Sequence, residues 1–362
     1  MLLGSGSYGT VAVFNGMAVK KFNRLCDIIQ ETCALKYLND CEYVVKYIGV
    51  DFDKLELYMT LHDTSLRKWM QQNAYDTGSL YAKKEHKICH DVLLGLSELH
   101  DRGLVHGDIK PGNILINFED KKTSDNLPLA VLGDCGFVSV AKYAKVYSTA
   151  RNYKDPIVKP QSSHDMYSFG ICFLELVCNI NLPHKITYSL LYNIVDKNVN
   201  NKDYKKILFA LFDPEHNKRP TARQILKSLY NVIPKKHVNI PKFPKIGPNK
   251  KYSIVYNMII SACKQYDLNR AKKIYYSLLG FYEENNIDPT DHVYYCSAAL
   301  MISSCLFSNK SSHFAVEHAT ILCKKFKTIG RNECSKYDIY KSIDRLINSE
   351  IFLYGIFSPS LQ

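Results

Sequence analysis

The sequence predicts an α+β protein in two parts, and three observations carry that reading. Strand-like runs crowd the opening of the chain, apolar residues at helix spacing dominate its long middle, and a segment rich in lysine and proline then sets off a last stretch that reads as helix throughout. In order, strands are expected over Val11 to Phe14 and Met17 to Phe22, a helix over Asp27 to Leu38, and strands near Val44 to Val50 and Leu55 to Leu61. After Ser65 the pattern turns mostly helical, as the spacing of Ile88, Val92, Leu93, Leu96 and Leu99 shows. The expected organisation is a strand-rich lobe over 1–63, a helical lobe over 64–232, a linker over 233–251 and a helical domain over 252–362. There is no internal repeat.

With 362 residues, 46% of them hydrophobic and 23% charged, the chain can bury a real core, so disorder is excluded as its dominant state. The formal charge of +12 is not spread evenly: between Ile233 and Lys251 stand six lysines, four prolines and no acid. Half of the surplus therefore sits in a stiff, extended, solvated spacer, with a nuclear-import or acidic-partner patch as the sharper reading. No nucleic-acid-binding signature accompanies it, so nucleic acid is not expected as a partner. The 12 cysteines form no CxxC pair, which argues against a zinc module or a redox motif and for reduced thiols in the cytoplasm or nucleus. No signal peptide is expected, because a glycine-rich turn begins at Gly4. No membrane span is expected either: the best apolar run, Phe169 to Cys178, is short and carries Glu175.

The residues that point to chemistry begin at once. Gly4-Ser5-Gly6-Ser7-Tyr8-Gly9-Thr10-Val11 is a GxGxxGxV run. Glycines let a backbone approach phosphates closely, with N–H groups facing the anionic oxygens. A dinucleotide fingerprint would continue into a helix, whereas here a β-branched, strand-like run comes next. The following strand delivers Ala18-Val19-Lys20, and strand alternation puts Lys20 and Lys21 on opposite faces. Far along the chain stands His106-Gly107-Asp108-Ile109-Lys110-Pro111-Gly112-Asn113-Ile114-Leu115-Ile116, and after it Gly133-Asp134-Cys135-Gly136. Asp165-Met166-Tyr167-Ser168-Phe169-Gly170 and His216-Asn217-Lys218-Arg219-Pro220-Thr221 complete the set.

From residue 4 to about residue 230 these runs, in this order, resemble the protein kinase family. The resemblance implies a bilobal protein-kinase fold, with ATP in the cleft between a small β-rich lobe and a larger helical one. It implies that Gly4, Ser5, Gly6, Ser7, Tyr8, Gly9 and Val11 lie over the ATP phosphates. Ala18, Met59, Thr60 and Leu61 would frame the nucleotide, Met59 as the gatekeeper before the hinge Thr60 to His62. Lys20 would hold the α and β phosphates, with Glu31 as its ion-pair partner. Asp108 would orient the substrate hydroxyl and accept its proton, and Lys110 would neutralise the transferring γ-phosphoryl group. Asn113 and Asp134 would hold Mg2+. A lysine two places after the aspartate is the serine/threonine-type form of this loop, so protein substrates phosphorylated on serine or threonine are expected. Asp165 would open the helix that anchors the catalytic loop.

Several positions depart from the family's pattern. Gly107 replaces the arginine of the usual His-Arg-Asp, so no guanidinium waits there for a phosphorylated activation loop, and activity is expected not to depend on that phosphorylation. Cys135 replaces the aromatic of the usual Asp-Phe-Gly. The activation segment ends in Tyr153-Lys154-Asp155-Pro156-Ile157 where a Pro-Glu is usual, so the buried acid that normally meets Arg219 is missing and another acid or a rearranged loop must serve. Lys20 and Glu31 are only 11 residues apart, which shortens the intervening helix at its start. No regulatory site is assigned to Ser148 or Thr149.

From Tyr252 the sequence resembles a single cyclin box. Tyr252 to Leu268 has the length and apolar rhythm of a first cyclin helix, Arg270 to Glu284 of a second, and the small-residue run Ser297 to Ser304 of the tightly packed central one. Asp344 to Ser349, with Ser358-Pro359, is similar to the last helix and exit. Small residues of this kind also suit other helical bundles. Asn257 and Cys305 stand where cyclins would carry an acid and a lysine, so the usual cyclin-to-kinase contact is not implied. The combined expectation is an ATP- and Mg2+-dependent serine/threonine kinase joined to an all-α, cyclin-like bundle. That bundle would dock near the shortened helix carrying Glu31 as a built-in activator, or recruit a regulatory protein. The alternative is a pseudokinase scaffold that binds nucleotide and recruits a partner. A minimal, fused chain of this kind fits a viral source, the host cell then being its place of action.

Overall fold

The computed structural model describes residues 2–6, 9–73, 78–118, 127–141, 153–154, 161–183, 186–234, 255, 259, 268–287, 292–307 and 336–357. Its first layer is an antiparallel five-stranded sheet of β1 (Leu2–Gly6), β2 (Gly9–Phe14), β3 (Met17–Phe22), β4 (Tyr47–Asp51) and β5 (Glu56–Thr60), in the order β1-β2-β3-β5-β4. Asn15-Gly16 forms the two-residue turn between β2 and β3, both residues at positive φ as such a hairpin turn demands, and Phe14 then pairs with Met17. The alternation along β3 buries Lys20 and exposes Lys21. Only Asn23 and Arg24 separate β3 from α1 (Leu25–Tyr37).

Helix α1 is the hinge of the architecture. Residues Glu31 to Leu35 are buried in unbroken succession, which a helix with one solvent face cannot do. One side of α1 lies against the sheet and the short 3-10 turn Cys135–Phe137. The other lies against the C-terminal helices, where Tyr37 stacks on Phe357 with ring centroids 4.9 Å apart. Phe52 of the sheet lobe also meets Tyr340, at 6.2 Å.

The helical lobe comprises α2 (Leu66–Gln72), α3 (Ser79–Asp101), α4 (Ser162–Cys178), α5 (Tyr188–Asn198), α6 (Lys202–Leu211) and α7 (Ala222–Tyr230). Into it are set strands that the helical pattern of this region does not predict: β6 (Thr64–Ser65), β8 (Ile114–Phe118) and β9 (Pro128–Leu132) form a three-stranded sheet. Between them in sequence or just beyond, β7 (Leu104–Val105) pairs with β10 (Ser139–Val140). Ile114 and Ile116 are buried while Leu115 and Asn117 are less so, a period-two pattern that overrides helix because β9 supplies the pairing partner.

The C-terminal part is all-helical in its described residues: α8 (Leu268–Asn285), α9 (His292–Phe307), α10 (Lys336–Ile347) and α11 (Glu350–Phe357). Ser297, Ala298 and Ala299 of α9 are fully buried, the close helix packing that small residues permit. Most of the first expected helix, Tyr252 to Leu268, lies outside the described residues; Val255 and Ile259 are helical and buried. The expected last helix over Asp344 to Ser349 is corrected: α10 ends at Ile347, and Ser349 instead starts α11 by accepting the Phe352 N–H on its hydroxyl at 3.3 Å. The expected linker lies outside the described residues over 235–251. Among the described residues no helix is long and apolar enough to cross a membrane.

Candidate active site

The geometry starts from Lys20. Its ammonium donates to Glu31 Oε2 at 2.6 Å and to Asp134 Oδ1 at 2.7 Å, bridging the sheet, α1 and the turn after β9. Burial alone would lower the Lys20 pKa, but the two carboxylates outweigh it and hold it above its ordinary value. Burial and the nearby Asp134 push Glu31 up to about 7 despite the Lys20 charge, and its Oε1 is buried with no hydrogen-bond partner among the described residues. Asp134 goes the other way. Burial would raise it, and the Lys20 charge and hydrogen bond, with Lys110 and His106 behind them, hold it below the usual carboxylate range. Its backbone sits in the left-handed region at φ 56°, a conformation aspartate tolerates better than most residues.

A second group is built on the loop after β7. Asp108, only 4% exposed, accepts on Oδ2 from Lys110 Nζ at 2.7 Å and from the Asn113 amide at 2.9 Å. The same Asn113 amide also donates to the Asp108 carbonyl at 2.9 Å, which leaves the Asn113 side-chain oxygen as the group it offers a cation. The two groups are tied together. His106 Nε2 lies 3.2 Å from the Gly133 carbonyl, and the Gly133 N–H donates to the Asn113 carbonyl at 2.8 Å.

Beneath the loop, Asp165 at the start of α4 is the anchor its position in the sequence suggests. It accepts from the His106 N–H at 2.7 Å, the Gly107 N–H at 2.9 Å and His100 Nε2 at 2.9 Å. Burial would raise its pKa, and the hydrogen bond and charge of His100 overcome that to hold it low. Gly107 takes φ 76°, and a Cβ there would come within 3.3 Å of Phe137, so this backbone path suits glycine.

The glycine-rich hairpin reads differently at its two ends. A Cβ on Gly9 would run into the Lys21 carbonyl at 2.0 Å, so the fold itself demands glycine there. A Cβ on Gly4 or Gly6 would meet open space, so nothing within the chain requires glycine at those positions. A cradle that leaves room where side chains could stand fits a bulky anion approaching the backbone. Ser5 lies between them on β1, and Ser7 and Tyr8 lie outside the described residues. Val11 pairs with Lys20 and Ala18 with Met59, so both apolar residues border the lysine strand, and Met59 is 7% exposed. Thr60 already uses its N–H on the Lys46 carbonyl at 3.0 Å, and its C=O meets His62 Nδ1 at 3.2 Å; Leu61 is half-buried. The oxygen donors of Asp134 and Asn113 are hard ligands, and magnesium, which keeps waters and phosphate oxygens, needs only one or two such groups from protein. The residues fit ATP and magnesium.

One further polar node joins residues of two of the quoted motifs to two residues outside them. Tyr153 O–H donates to Glu175 Oε2 at 2.6 Å, Arg67 reaches the same oxygen at 3.1 Å and also contacts the Tyr153 hydroxyl, and Ser168 donates to the Tyr153 carbonyl at 2.6 Å. One signal in the sequence is Glu175, the acid inside the apolar run Phe169 to Cys178. Arg219, 5% exposed, donates to the carbonyls of Asp213 at 2.9 Å and Ser163 at 3.2 Å and lies over the Tyr167 ring, while Ile157, Ser148 and Thr149 fall outside the described residues. Cys135 is fully buried in the turn packed on α1.

A family model for the protein kinase domain matches residues 1–231. The chain belongs to the protein kinase family. Its fold is accordingly the protein kinase fold, with a sheet-rich N-lobe and a helical C-lobe. Among curated relatives, the membrane-associated tyrosine- and threonine-specific cdc2-inhibitory kinase of Drosophila melanogaster is 26% identical over 253 residues, covering 62% of this chain and 45% of that protein. The mitogen-activated protein kinase kinase kinase 1a of Physcomitrium patens is 29% identical over 194 residues, 48% of this chain and 24% of that protein. The serine/threonine-protein kinase cst-1 of Caenorhabditis briggsae is 28% identical over 187 residues, 48% of this chain and 37% of that protein. The kinase thus spans less than half the length of each of these relatives.

Proposed function

We propose that this kinase transfers the γ-phosphate of ATP to serine and threonine hydroxyls of protein substrates, and that its C-terminal bundle is a built-in activator. The observation that carries the catalytic half is the double bridge of Lys20 to Glu31 and Asp134 beside the Asp108, Lys110 and Asn113 cluster. In the working complex Lys20 keeps Glu31 and directs its ammonium to the α and β phosphates of ATP. Magnesium, held by Asp134 and Asn113, supplies neutralisation of phosphate charge. Asp108 has Oδ2 engaged by Lys110 and Asn113, which leaves Oδ1 to orient the substrate hydroxyl and take its proton. Lys110 stands beside that oxygen to balance charge on the transferring group.

The activator half rests on α1. A helix buried against both the sheet and the bundle has its orientation fixed, and with it Glu31. The order of helices and the small-residue α9 favour a cyclin-like bundle. With glycine at 107, no arginine needs a phosphorylated activation loop to neutralise it, so activity is independent of that modification. The cytoplasm or nucleus, of a host cell if the source is viral, is the place of action. The alternative, a nucleotide-binding scaffold recruiting a regulatory protein through the bundle, is favoured by Cys135 and by Ile157 standing where the family carries a glutamate.

Phosphate transfer from labelled ATP with magnesium to a generic basic protein, with phosphoamino-acid analysis, tests the proposal. Phosphoserine or phosphothreonine made by wild type and lost in Asp108→Asn and Asp134→Asn supports it. Intact ATP binding with no transfer supports the scaffold, and phosphotyrosine alone overturns the specificity.

A further inference from the structure

Where α1 meets α9, two thiols that are 279 positions apart in the chain come together: Cys26 Sγ lies 2.6 Å from Cys305 Sγ. That is about 0.6 Å beyond a disulfide bond length. Cys26 sits in the first turn of α1 and is half-buried, so a small oxidant can reach it, whereas Cys305 is 7% exposed. Among the described cysteines Cys26 and Cys178 are partly exposed and the others are buried. We propose that Cys26 and Cys305 are a reversible redox pair, which peroxide oxidises to a disulfide that staples the bundle to the helix carrying Glu31.

The chemistry assigns each sulfur its part. The hydrogen bond shared with Cys305 holds the Cys26 thiol below its ordinary value with help from the Arg24 charge, against burial and the Asp27 carboxylate, which raise it. That same bond, together with burial, pushes Cys305 well up. Cys26, half-buried and open to a small oxidant where Cys305 is 7% exposed, is therefore the attacking thiolate and Cys305 the resolving thiol. The Cys26 thiolate attacks one peroxide oxygen, the O–O bond breaks, the departing hydroxide takes up a proton as water, and Cys26 becomes a sulfenic acid. Cys305 sulfur then attacks the Cys26 sulfur, the S–O bond breaks, and the hydroxyl leaves as a second water with the Cys305 proton. Two thiols and one peroxide give one disulfide and two waters. Cys178 has no such partner in reach among the described residues, and burial pushes its thiol up to about 11. Cys33, two turns further along α1, is fully buried, and burial raises its thiol.

The pair rests on the seat of the bundle against α1 and not on phosphoryl transfer, so a mass measurement reads it whether or not the kinase is active. The full chain is treated with hydrogen peroxide, its remaining thiols are alkylated, and it is digested without reductant. The expected product is a linked pair of peptides containing Cys26 and Cys305, two hydrogens lighter than their sum and separated by a thiol reductant. In Cys305→Ser the link disappears and Cys26 is instead trapped as its sulfenic acid by dimedone. Quantitative alkylation of Cys26 after peroxide, a link from either residue to Cys33, or Cys26 carried on to sulfinic acid in wild type would each overturn the proposal.

Discussion

The two sides of α1 are held by opposite means. Toward the cleft, Glu31 is fixed by one ammonium at 2.6 Å, which a second carboxylate shares. Toward the bundle, Tyr37 is fixed by stacking on Phe357 and by its neighbours Tyr354 and Arg102. A buried ion pair is intolerant, because removing either partner leaves an uncompensated charge. A buried aromatic seat is graded, because any side chain of similar shape recovers part of the contact. If the proposed function holds, loss of the cleft ion pair abolishes transfer, whereas loosening the aromatic seat lowers it by degrees.

The contrast is broken first at its strongest point. Asp108→Asn is expected to lower the transfer rate by about 10³-fold, roughly 4 kcal/mol in the barrier, with the melting temperature little changed. Initial rates and a thermal melt on the same preparation check this. Phe357→Ala should do the converse. Emptying a ring site that is 1% exposed costs about 3 kcal/mol of stability, read by denaturant unfolding, and transfer should drop only several-fold as Glu31 loses its backing. An activity loss in Phe357→Ala as deep as that of Asp108→Asn would erase the distinction between the two sides.

A sharper test uses pH. Glu31 is pushed up to about 7, above the ordinary carboxylate, so the folded chain takes up a proton there that the unfolded chain takes up only at lower pH. Folding stability from this group therefore rises as the pH falls from about 7 towards about 4.5, while the ion pair that orients Lys20 weakens. Asp134, held below the ordinary value, contributes stability that is lost only as the pH falls through its own lower range. Between pH 8 and about pH 5.5 transfer should fall roughly thirtyfold without a matching loss of melting temperature. Glu31→Gln should be slow throughout and lack the limb near pH 7. Rate and stability falling together, or an unchanged limb in Glu31→Gln, would separate the limb from this ion pair.

The same contrast sets what is legible in the sequence. Lys20, Glu31, Asp108, Lys110, Asn113 and Asp134 can be named there because they fall on runs that resemble the protein kinase family's motifs. The geometry then brings them into two linked groups. The node of Arg67, Tyr153 and Glu175 cannot be named, since its members come from three distant segments and each is individually ordinary. Cys26 and Cys305 are likewise two of 12 cysteines until the fold brings them together. The strands β8 and β9 stay hidden because five-residue apolar runs fit helix or strand until a partner is seen. Ser349 reads as helix interior because a cap and an interior serine look alike in sequence.

The smaller effects probe the backbone and the register. Gly107→Ala forces a side chain into φ 76° within 3.3 Å of Phe137, and should cost about 1–2 kcal/mol by denaturant unfolding. Lys21→Ala has an expected effect near zero. Lys21 is exposed on the strand that buries Lys20, pairs across it with Thr10 and Glu56 through its backbone, and carries no contact to Glu31 or Asp134 among the described residues. Its removal should leave stability within about 0.5 kcal/mol and transfer within about twofold, whereas Lys20→Ala should abolish transfer. Two adjacent lysines that differ only in the face they occupy isolate the register of β3 from its composition. Equal losses in both variants would mean that positive charge near the cleft, and not the ion pair to Glu31, is what the strand supplies.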